Sequence, residues 1–167
     1  MADDPLVVLA ARLQERCLAR GVRVATVESC TGGLVGHLIT ETPGSSAYYV
    51  GGYVTYSDQL KQDLVDVPAE VLAAHGAVSA QTAVAMATGA RARTGADLGA
   101  AVTGIAGPEG GTPQKPVGLT YVAVSDATGT VVRRHLWSGE RTENKRASAE
   151  ALLELLLERI EPAAGGA

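Results

Sequence analysis

The segment VATVESCTGG, residues 24–33, joins an apolar, β-branched run to two glycines, and the helical pattern LVGHLI follows it at residues 34–39. This order predicts a buried strand that enters a helix through a tight turn. Such a turn presents the side chain of Ser29 or Cys30 at the end of the strand and directs unpaired backbone N–H groups toward one point. The junction suits acyl chemistry, and it equally suits a simple tight connection.

Composition and charge limit the class of protein. The chain has 167 residues, 46% of them hydrophobic, with no Phe and a formal net charge of -4. It is long enough for a substantial core, which small aliphatic side chains must build. The negative net charge argues against a nucleic-acid partner, which would need clustered Lys and Arg. Cys17 and Cys30 are too few for a disulfide framework, and no Cys/His group has zinc spacing, so we expect no metal site.

The chain carries no targeting or membrane signal. Its first residues include Asp3 and Asp4 and lack the regions of a signal peptide, and no apolar run approaches the roughly 20 residues of a membrane span. We therefore expect a cytoplasmic protein with no membrane partner. No repeat or linker divides the chain, so we expect one domain over residues 1–167, with a frayed tail from about residue 162. The oligomeric state stays open, a homo-oligomer included.

Strand and helix signals alternate along the chain, which predicts an α/β fold. A glycine pair at 51–52 suggests a bulge in the second strand, and the last two strands form a hairpin, so the sheet is expected to be mixed. The predicted helices cover residues 5–19, 31–41 and 58–65, a short stretch after Pro68, and residues 79–94 and 141–160; the predicted strands cover residues 22–27, 47–56, 98–102, 117–125 and 130–137.

Three predicted strand ends carry groups that are capable of chemistry. Ser29 and Cys30 follow the first strand, and Tyr56 ends the second, with Lys61 about one helical turn later. The third strand runs into a glycine-rich loop at residues 103–113. Ligands of open α/β sheets bind at the carboxyl ends of strands. We therefore expect these groups at one edge of the sheet.

Ser29 needs a base before it can act as a nucleophile, and no histidine stands at a suitable position. Lys61 is the candidate base, because burial lowers the pKa of a lysine. The amides of Thr31, Gly32 and Gly33 would then form an oxyanion hole. In the alternative, Ser29 is a helix N-cap and Lys61 a solvated helix residue. The residues alone favour that alternative.

Further residues near these strand ends also allow more than one interpretation. Cys30 is a second candidate nucleophile at a helix N-terminus, although small buried thiols more often serve packing. Glu28 would orient a base, bind a ligand hydroxyl or cap the next turn. The cations Arg141, Lys145 and Arg146 oppose the dipole of the last helix, which indicates an anion site or a solvated face that neighbouring glutamates neutralise. The loop at 103–113 fits neither the Rossmann nor the P-loop spacing, and predicts a mobile loop or a phosphate nest.

Five motifs stand in a fixed order along the chain: ESCTGG at 28–33, PGSS at 43–46, GGYVTYS at 51–57 followed by Lys61, HGAVS at 75–79, and TGIAGP at 103–108. In order and spacing they resemble the C-terminal domain of the competence/damage-inducible CinA family. Stand-alone members of that family are nicotinamide-nucleotide amidases. The resemblance covers almost the whole chain, so it is more specific than any one glycine-rich loop.

The resemblance implies a three-layer α/β/α sandwich with a mixed, mostly parallel sheet. It also implies hydrolysis of the carboxamide of nicotinamide mononucleotide, a small pyridine nucleotide, to nicotinate mononucleotide and ammonia, as in pyridine nucleotide salvage. Family members of this activity resemble serine/lysine hydrolases that need no metal or other cofactor. Ser29 matches the nucleophile, Lys61 the general base and Tyr56 a supporting residue of the same site.

The resemblance also implies where the substrate binds. The final helix fits in part, because Arg141 matches the basic pattern while Lys145 stands where arginine is expected, with Arg146 beside it. A lysine lacks the bidentate fork of an arginine. Two alternatives remain: a non-catalytic nucleotide-binding module in competence or DNA-damage responses, and amidase chemistry through Cys30. The other expected substrate-binding residues are Glu28, Thr31, Gly32, Gly33, Ser45, Ser46, Thr103, Gly104 and Gly107.

Overall fold

Five strands form one mixed sheet in the computed structural model, which describes residues 3–161. The strands are β1 (Val24–Glu28), β2 (Tyr49–Val54), β3 (Leu98–Gly104), β4 (Leu119–Asp126) and β5 (Gly129–Leu136), and the sheet order is β2-β1-β3-β4-β5. The first three are parallel, and β4 and β5 form the predicted antiparallel hairpin. The helices are α1 (Pro5–Arg20), α2 (Leu34–Thr40), α3 (Asp58–Val65), α4 (Ala69–His75), α5 (Ala80–Thr94) and α6 (Arg141–Ile160).

Helices cover both faces of the sheet and make three layers. On one face, α1, α2 and α6 bury leucines and valines against residues such as Val24, Val102 and Val122. On the other face, α3, α4 and α5 pack on Val27 and Ala101. Successive residues of a strand point to opposite faces, so one strand supplies both cores. The α/β/α sandwich with a mixed sheet is therefore confirmed.

The helix ends follow their capping residues. The Asp4 carboxylate accepts the N–H of Leu6 at the start of α1, and Ser57 and Ser79 cap α3 and α5 in the same way. The predicted bounds of these helices therefore agree with the structure within a residue. Helix α2 differs, because it begins at Leu34 rather than at residue 31. Residues 29–33 form the turn instead.

Two other expectations concern the second strand and the chain end. The predicted bulge is present, since the register between β1 and β2 shifts by one residue before Gly51. The frayed tail expected from residue 162 lies outside the described residues. Among residues 3–161, no helix is both long and apolar enough to cross a membrane.

Helix α5 lies unusually close to its neighbours because its contact surface is built from alanine and glycine. A Cβ atom added to Gly89 would lie 1.7 Å from the carbonyl oxygen of Val65. A Cβ atom added to Gly99 of β3 would lie 2.2 Å from the carbonyl oxygen of Ala87. The close approach holds the end of α3 against α5, and α3 carries Lys61.

We predict that Gly89→Ala lowers the free energy of unfolding by about 3 kcal/mol, because backbone must move to admit one methyl group. Urea denaturation measures the change. Thr88→Ala is the matched control on the exposed side of the same helix, with an expected change within about 0.5 kcal/mol. Equal stability of the two variants would contradict the close packing of α3 on α5.

Candidate active site

The side chains of Ser29 and Lys61 meet at the carboxyl ends of β1 and β2. Lys61 Nζ lies 3.1 Å from Ser29 Oγ. The same nitrogen donates to the carbonyl oxygens of Thr55, at 2.7 Å, and Tyr56, at 3.3 Å. Lys61 lies in the first turn of α3, where side chains point back toward the helix N-terminus and hence toward the strand ends. The alternative of an N-capping Ser29 and a solvated Lys61 is therefore wrong.

Burial determines the electrostatics of Lys61. Its side chain is 0% exposed, although lysine is almost never fully buried without a partner charge. Desolvation lowers the pKa of Lys61 below its ordinary value of 10.5, while the negative charge of Asp58 opposes this shift. The neutral amine is thus reached at a lower pH than in water.

The contacts of Lys61 also orient the neutral amine. A neutral amine has two N–H groups and one lone pair. When the two N–H groups donate to the carbonyls of Thr55 and Tyr56, the lone pair faces Ser29 Oγ. This is the geometry that a base needs in order to accept the hydroxyl proton.

Glu28 binds the turn that follows it. Its buried carboxylate accepts the hydroxyl of Thr31 and the amides of Gly33, Val35 and Gly36, at 2.9–3.1 Å for the three amides. These bonds satisfy donors at the start of α2 that would otherwise lack partners. Glu28 therefore caps the turn, and its expected role in substrate binding is corrected.

The amides of the turn differ in their availability. Gly32 N–H donates to the carbonyl of Ser29, and Gly33 N–H donates to Glu28, so neither is free to bind an oxyanion. In the described part of the chain, the amides of Cys30 and Thr31 have no hydrogen-bond partner. The expected role of the Gly32 and Gly33 amides is therefore corrected, and of the two free amides after Ser29 that of Cys30 belongs to a residue that lines the cavity.

Cys30 is poorly suited to be the nucleophile. Its side chain is buried in the core beside α2, and desolvation raises the pKa of its thiol to about 12. The reactive thiolate is therefore scarce near neutral pH. The packing interpretation of Cys30 agrees with the structure.

A cavity of about 270 Å³ opens beside the amine–hydroxyl pair. Ser29 and Lys61 lie on one wall, and the exposed side chain of Tyr56 lies at its mouth. The end of β3, with Thr103 and Gly104, and the loop after it, with Gly107, form another wall, as expected. Ile105 and Ala106 of the expected loop line the cavity too, and so does Cys30. Sequence reasoning missed Ala77, Val78, Glu109 and Gly110.

Helix α6 fixes the loop after β3. Arg141 Nη1 donates to the carbonyl of Gly107 at 2.8 Å, and Asn144 Nδ2 donates to the carbonyl of Ala106 at 3.0 Å. Asn144 is buried and was missed as a positioning residue. The expected mobile loop is therefore an anchored one at this end, and Arg141 brings a cation to the cavity.

The other expected cations have different positions. Lys145 does not line the cavity, but its Nζ lies 3.9 Å from the place where a Cβ of Gly32 would be, behind the Ser29 turn. Arg146 is corrected as a substrate-binding residue, because it forms an ion pair with Asp4 of the α1 cap at 2.6 Å. Arg141 is thus the expected cation of this helix that reaches the cavity.

Ser45 and Ser46 are also corrected as substrate-binding residues of this cavity. Both precede β2, which runs parallel to β1 and begins beside Val24. They therefore lie at the edge of the sheet where β1 starts, while Ser29 lies at the edge where β1 ends. A sequence motif records their position in the chain and does not show which end of a strand they occupy.

The sequence model of the CinA C-terminal domain family matches residues 7–160. The chain belongs to this family. A CinA-like protein of Anaeromyxobacter sp. strain K is 50% identical over 141 residues, which are 84% of this chain and 35% of that protein. A CinA-like protein of Geotalea uraniireducens is 47% identical over 84% of this chain and 33% of its own length. This chain thus spans about a third of the length of these curated CinA relatives.

Solved CinA structures share the fold over nearly the whole chain. The competence/damage inducible protein CihA from Agrobacterium tumefaciens has a TM-score of 0.89 and 42% identity, and the match covers 93% of this chain and 96% of that one. This chain therefore has the same fold as the solved CinA structures. The names describe competence and damage, and they specify no reaction.

We predict that Glu28→Gln lowers the free energy of unfolding by about 2 kcal/mol. The glutamine would place an NH₂ group against backbone N–H groups that donate to a carboxylate oxygen of Glu28. Urea denaturation measures the free energy of unfolding. Glu150→Gln on the exposed side of α6 is the matched control and should change it by less than about 0.5 kcal/mol. Equal effects of the two changes would mean that the Glu28 bonds do not support the turn.

Proposed function

We propose that this protein is a nicotinamide-nucleotide amidase, which hydrolyses the carboxamide of nicotinamide mononucleotide to nicotinate mononucleotide and ammonia. The observation that carries the proposal is the fully buried Lys61 amine 3.1 Å from Ser29 Oγ, on the wall of an open cavity. A buried lysine without a contacting carboxylate is costly to the fold, and lowered lysine pKa values are typical of a general base.

The first step forms an ester between enzyme and substrate. Neutral Lys61 accepts the proton of Ser29, and Ser29 Oγ attacks the carboxamide carbon. The amides of Cys30 and Thr31 donate to the oxyanion that develops, in the manner of the amide that follows the nucleophile in other hydrolases. The pyridinium charge of the substrate draws electrons from the carbonyl and favours the attack.

The second step releases the products. The Lys61 ammonium donates its proton to the departing nitrogen, so that ammonia leaves and the amine is neutral again. Water then attacks the nicotinoyl ester, Lys61 accepts its proton, and Ser29 Oγ takes that proton back as nicotinate mononucleotide is released. One water is consumed for each ammonia, and the residues involved need no metal or cofactor.

The cavity wall formed by the end of β3 and the loop after it provides the contacts for the rest of the nucleotide. Arg141 supplies a guanidinium at the rim, where a phosphate group would find a bidentate partner. Gly104 and Gly107 belong to this wall, where a side chain would overlap Thr120 or Val117, so the two glycines let the wall pack closely on the segment behind it. Lys145 adds positive charge behind the Ser29 turn without lining the cavity.

A non-catalytic nucleotide-binding module is the alternative. It accounts for the cavity and for Arg141, but it gives no reason for an amine to be buried against a serine hydroxyl. Tight binding of nicotinamide mononucleotide without ammonia release would favour the module over the amidase.

We predict that the purified protein releases ammonia from nicotinamide mononucleotide, and that Ser29→Ala and Lys61→Met each lower kcat by about 10³-fold or more. Methionine fills the buried space of Lys61 without its amine. A coupled ammonia assay gives the rates, and circular dichroism verifies that both variants are folded.

Ser46→Ala is the matched serine control, because Ser46 is exposed at the opposite edge of the sheet. Its activity should stay within about twofold of the unchanged protein. Full activity of a folded Ser29→Ala or Lys61→Met variant would overturn the proposed pair.

The pH dependence of kcat/KM should follow the loss of a proton from the Lys61 amine. Because the neutral amine is the active form, kcat/KM rises with pH through the lowered pKa of Lys61. The Asp58 charge raises this pKa, so Asp58→Asn should move the rising limb to lower pH. Asp63→Asn removes the same charge from the exposed part of α3 and is the control. If neither variant moves the rising limb of kcat/KM, the limb reports a group other than Lys61.

A further inference from the structure

The cavity beside Ser29 contains a carboxylate that the proposed mechanism does not use. Glu109 lies in the loop after β3, and it is the only acidic residue among the described residues that line the cavity. Within residues 3–161, the Glu109 carboxylate has no hydrogen-bond or ion-pair partner. Asp66 and Glu158 are also exposed, but each pairs with an arginine. The Glu109 carboxylate is therefore available to a ligand in the cavity.

The loop that carries Glu109 is held on both sides. Asn144 and Arg141 bind the carbonyls of Ala106 and Gly107 before it. After it, Lys115 Nζ donates to the carbonyl of His75 at the end of α4. The Glu109 backbone is thus fixed at the cavity, although its side chain is exposed.

The charges of the cavity form a separated pair. Lys61 is neutral in its active form, Arg141 is a permanent cation and Glu109 is an anion. A ligand that carries both a cationic ring and an anionic phosphate matches this pair, while a ligand with the phosphate alone matches only Arg141. Arg141 and Glu109 line the same cavity of about 270 Å³, so a ligand bound there lies near both charges.

We propose that Glu109 is a specificity residue that favours nucleotides whose carboxamide-bearing ring is cationic over those in which the ring is neutral. The inference rests on the proposed function and adds the ring charge as the property that the cavity selects. Because Glu109 is exposed, its contribution is that of a solvent-accessible charge pair, about fivefold in affinity. It acts on binding and not on the reacting atoms, so it should affect KM and not kcat.

The test compares nicotinamide mononucleotide with its reduced form, which has the same carboxamide, ribose and phosphate but an uncharged ring. Isothermal titration calorimetry on the Ser29→Ala protein gives the Kd of both ligands without turnover. Adding Glu109→Gln should weaken binding of the oxidised nucleotide about fivefold and leave the reduced one within about twofold. In the protein with Ser29 intact, Glu109→Gln should raise KM for the oxidised nucleotide by the same factor and leave kcat unchanged.

Glu150→Gln is the control for the change in net charge, because Glu150 is exposed on α6 and does not line the cavity. An equal loss for both ligands would show that Glu109 only holds the loop, and no loss for either would remove it from recognition; both results overturn the inference. If the unchanged protein hydrolyses the nucleotide in either case, the proposed function stands. If it neither binds nor hydrolyses the nucleotide, the proposed function fails, and this inference fails with it.

Discussion

The burial of the Lys61 amine is the constraint on which the rest of the structure depends. An ammonium in this position would lose its hydration, and its hydrogen-bond acceptors within residues 3–161 are two carbonyls and a hydroxyl. Those acceptors exist because β2 ends beside β1 and α3 begins immediately afterwards with Ser57 as its cap. A different connection between β2 and α3 would leave the amine without partners. The observed connection surrounds the amine with three polar acceptors, which offset part of the cost of its burial.

The residues around the cavity divide into those that face it and those that support them. Glu28 faces away from the cavity, yet it fixes the turn in which Ser29 stands and leaves the next two amides unpaired. Asn144 also supports from behind, because it binds the loop after β3 to α6. Both are buried polar groups with their bonds satisfied, which makes the wall rigid before any ligand arrives. A preorganised wall of this kind is what stabilisation of a developing charge requires.

Local signals made much of this structure predictable. The caps at Ser57 and Ser79 and the alternation of strands and helices gave the elements, and the strand-end rule brought Ser29, Lys61 and the loop after β3 to one edge. The errors concern contacts between distant parts of the chain. Arg146 pairs with Asp4 across 142 residues, and Ser45 lies at the start of a parallel strand rather than at its end. Glu28 was expected to bind substrate, but its carboxylate accepts four hydrogen bonds from the following turn. Those bonds form only when the turn folds back over Glu28, which a sequence pattern does not show.

The position of β2 has a consequence for the range of conditions in which the site exists. Ser29 follows a central strand with a neighbour on each side, whereas Thr55 and Tyr56 follow a strand at the edge, which has β1 alone beside it. Edge elements open more readily than central ones, through local fluctuations that leave the remaining core intact. Opening of β2 would carry α3 and its amine away from the serine. Heating would then separate the pair while most of the protein is still folded, so the lifetime of the site is set by its weakest strand.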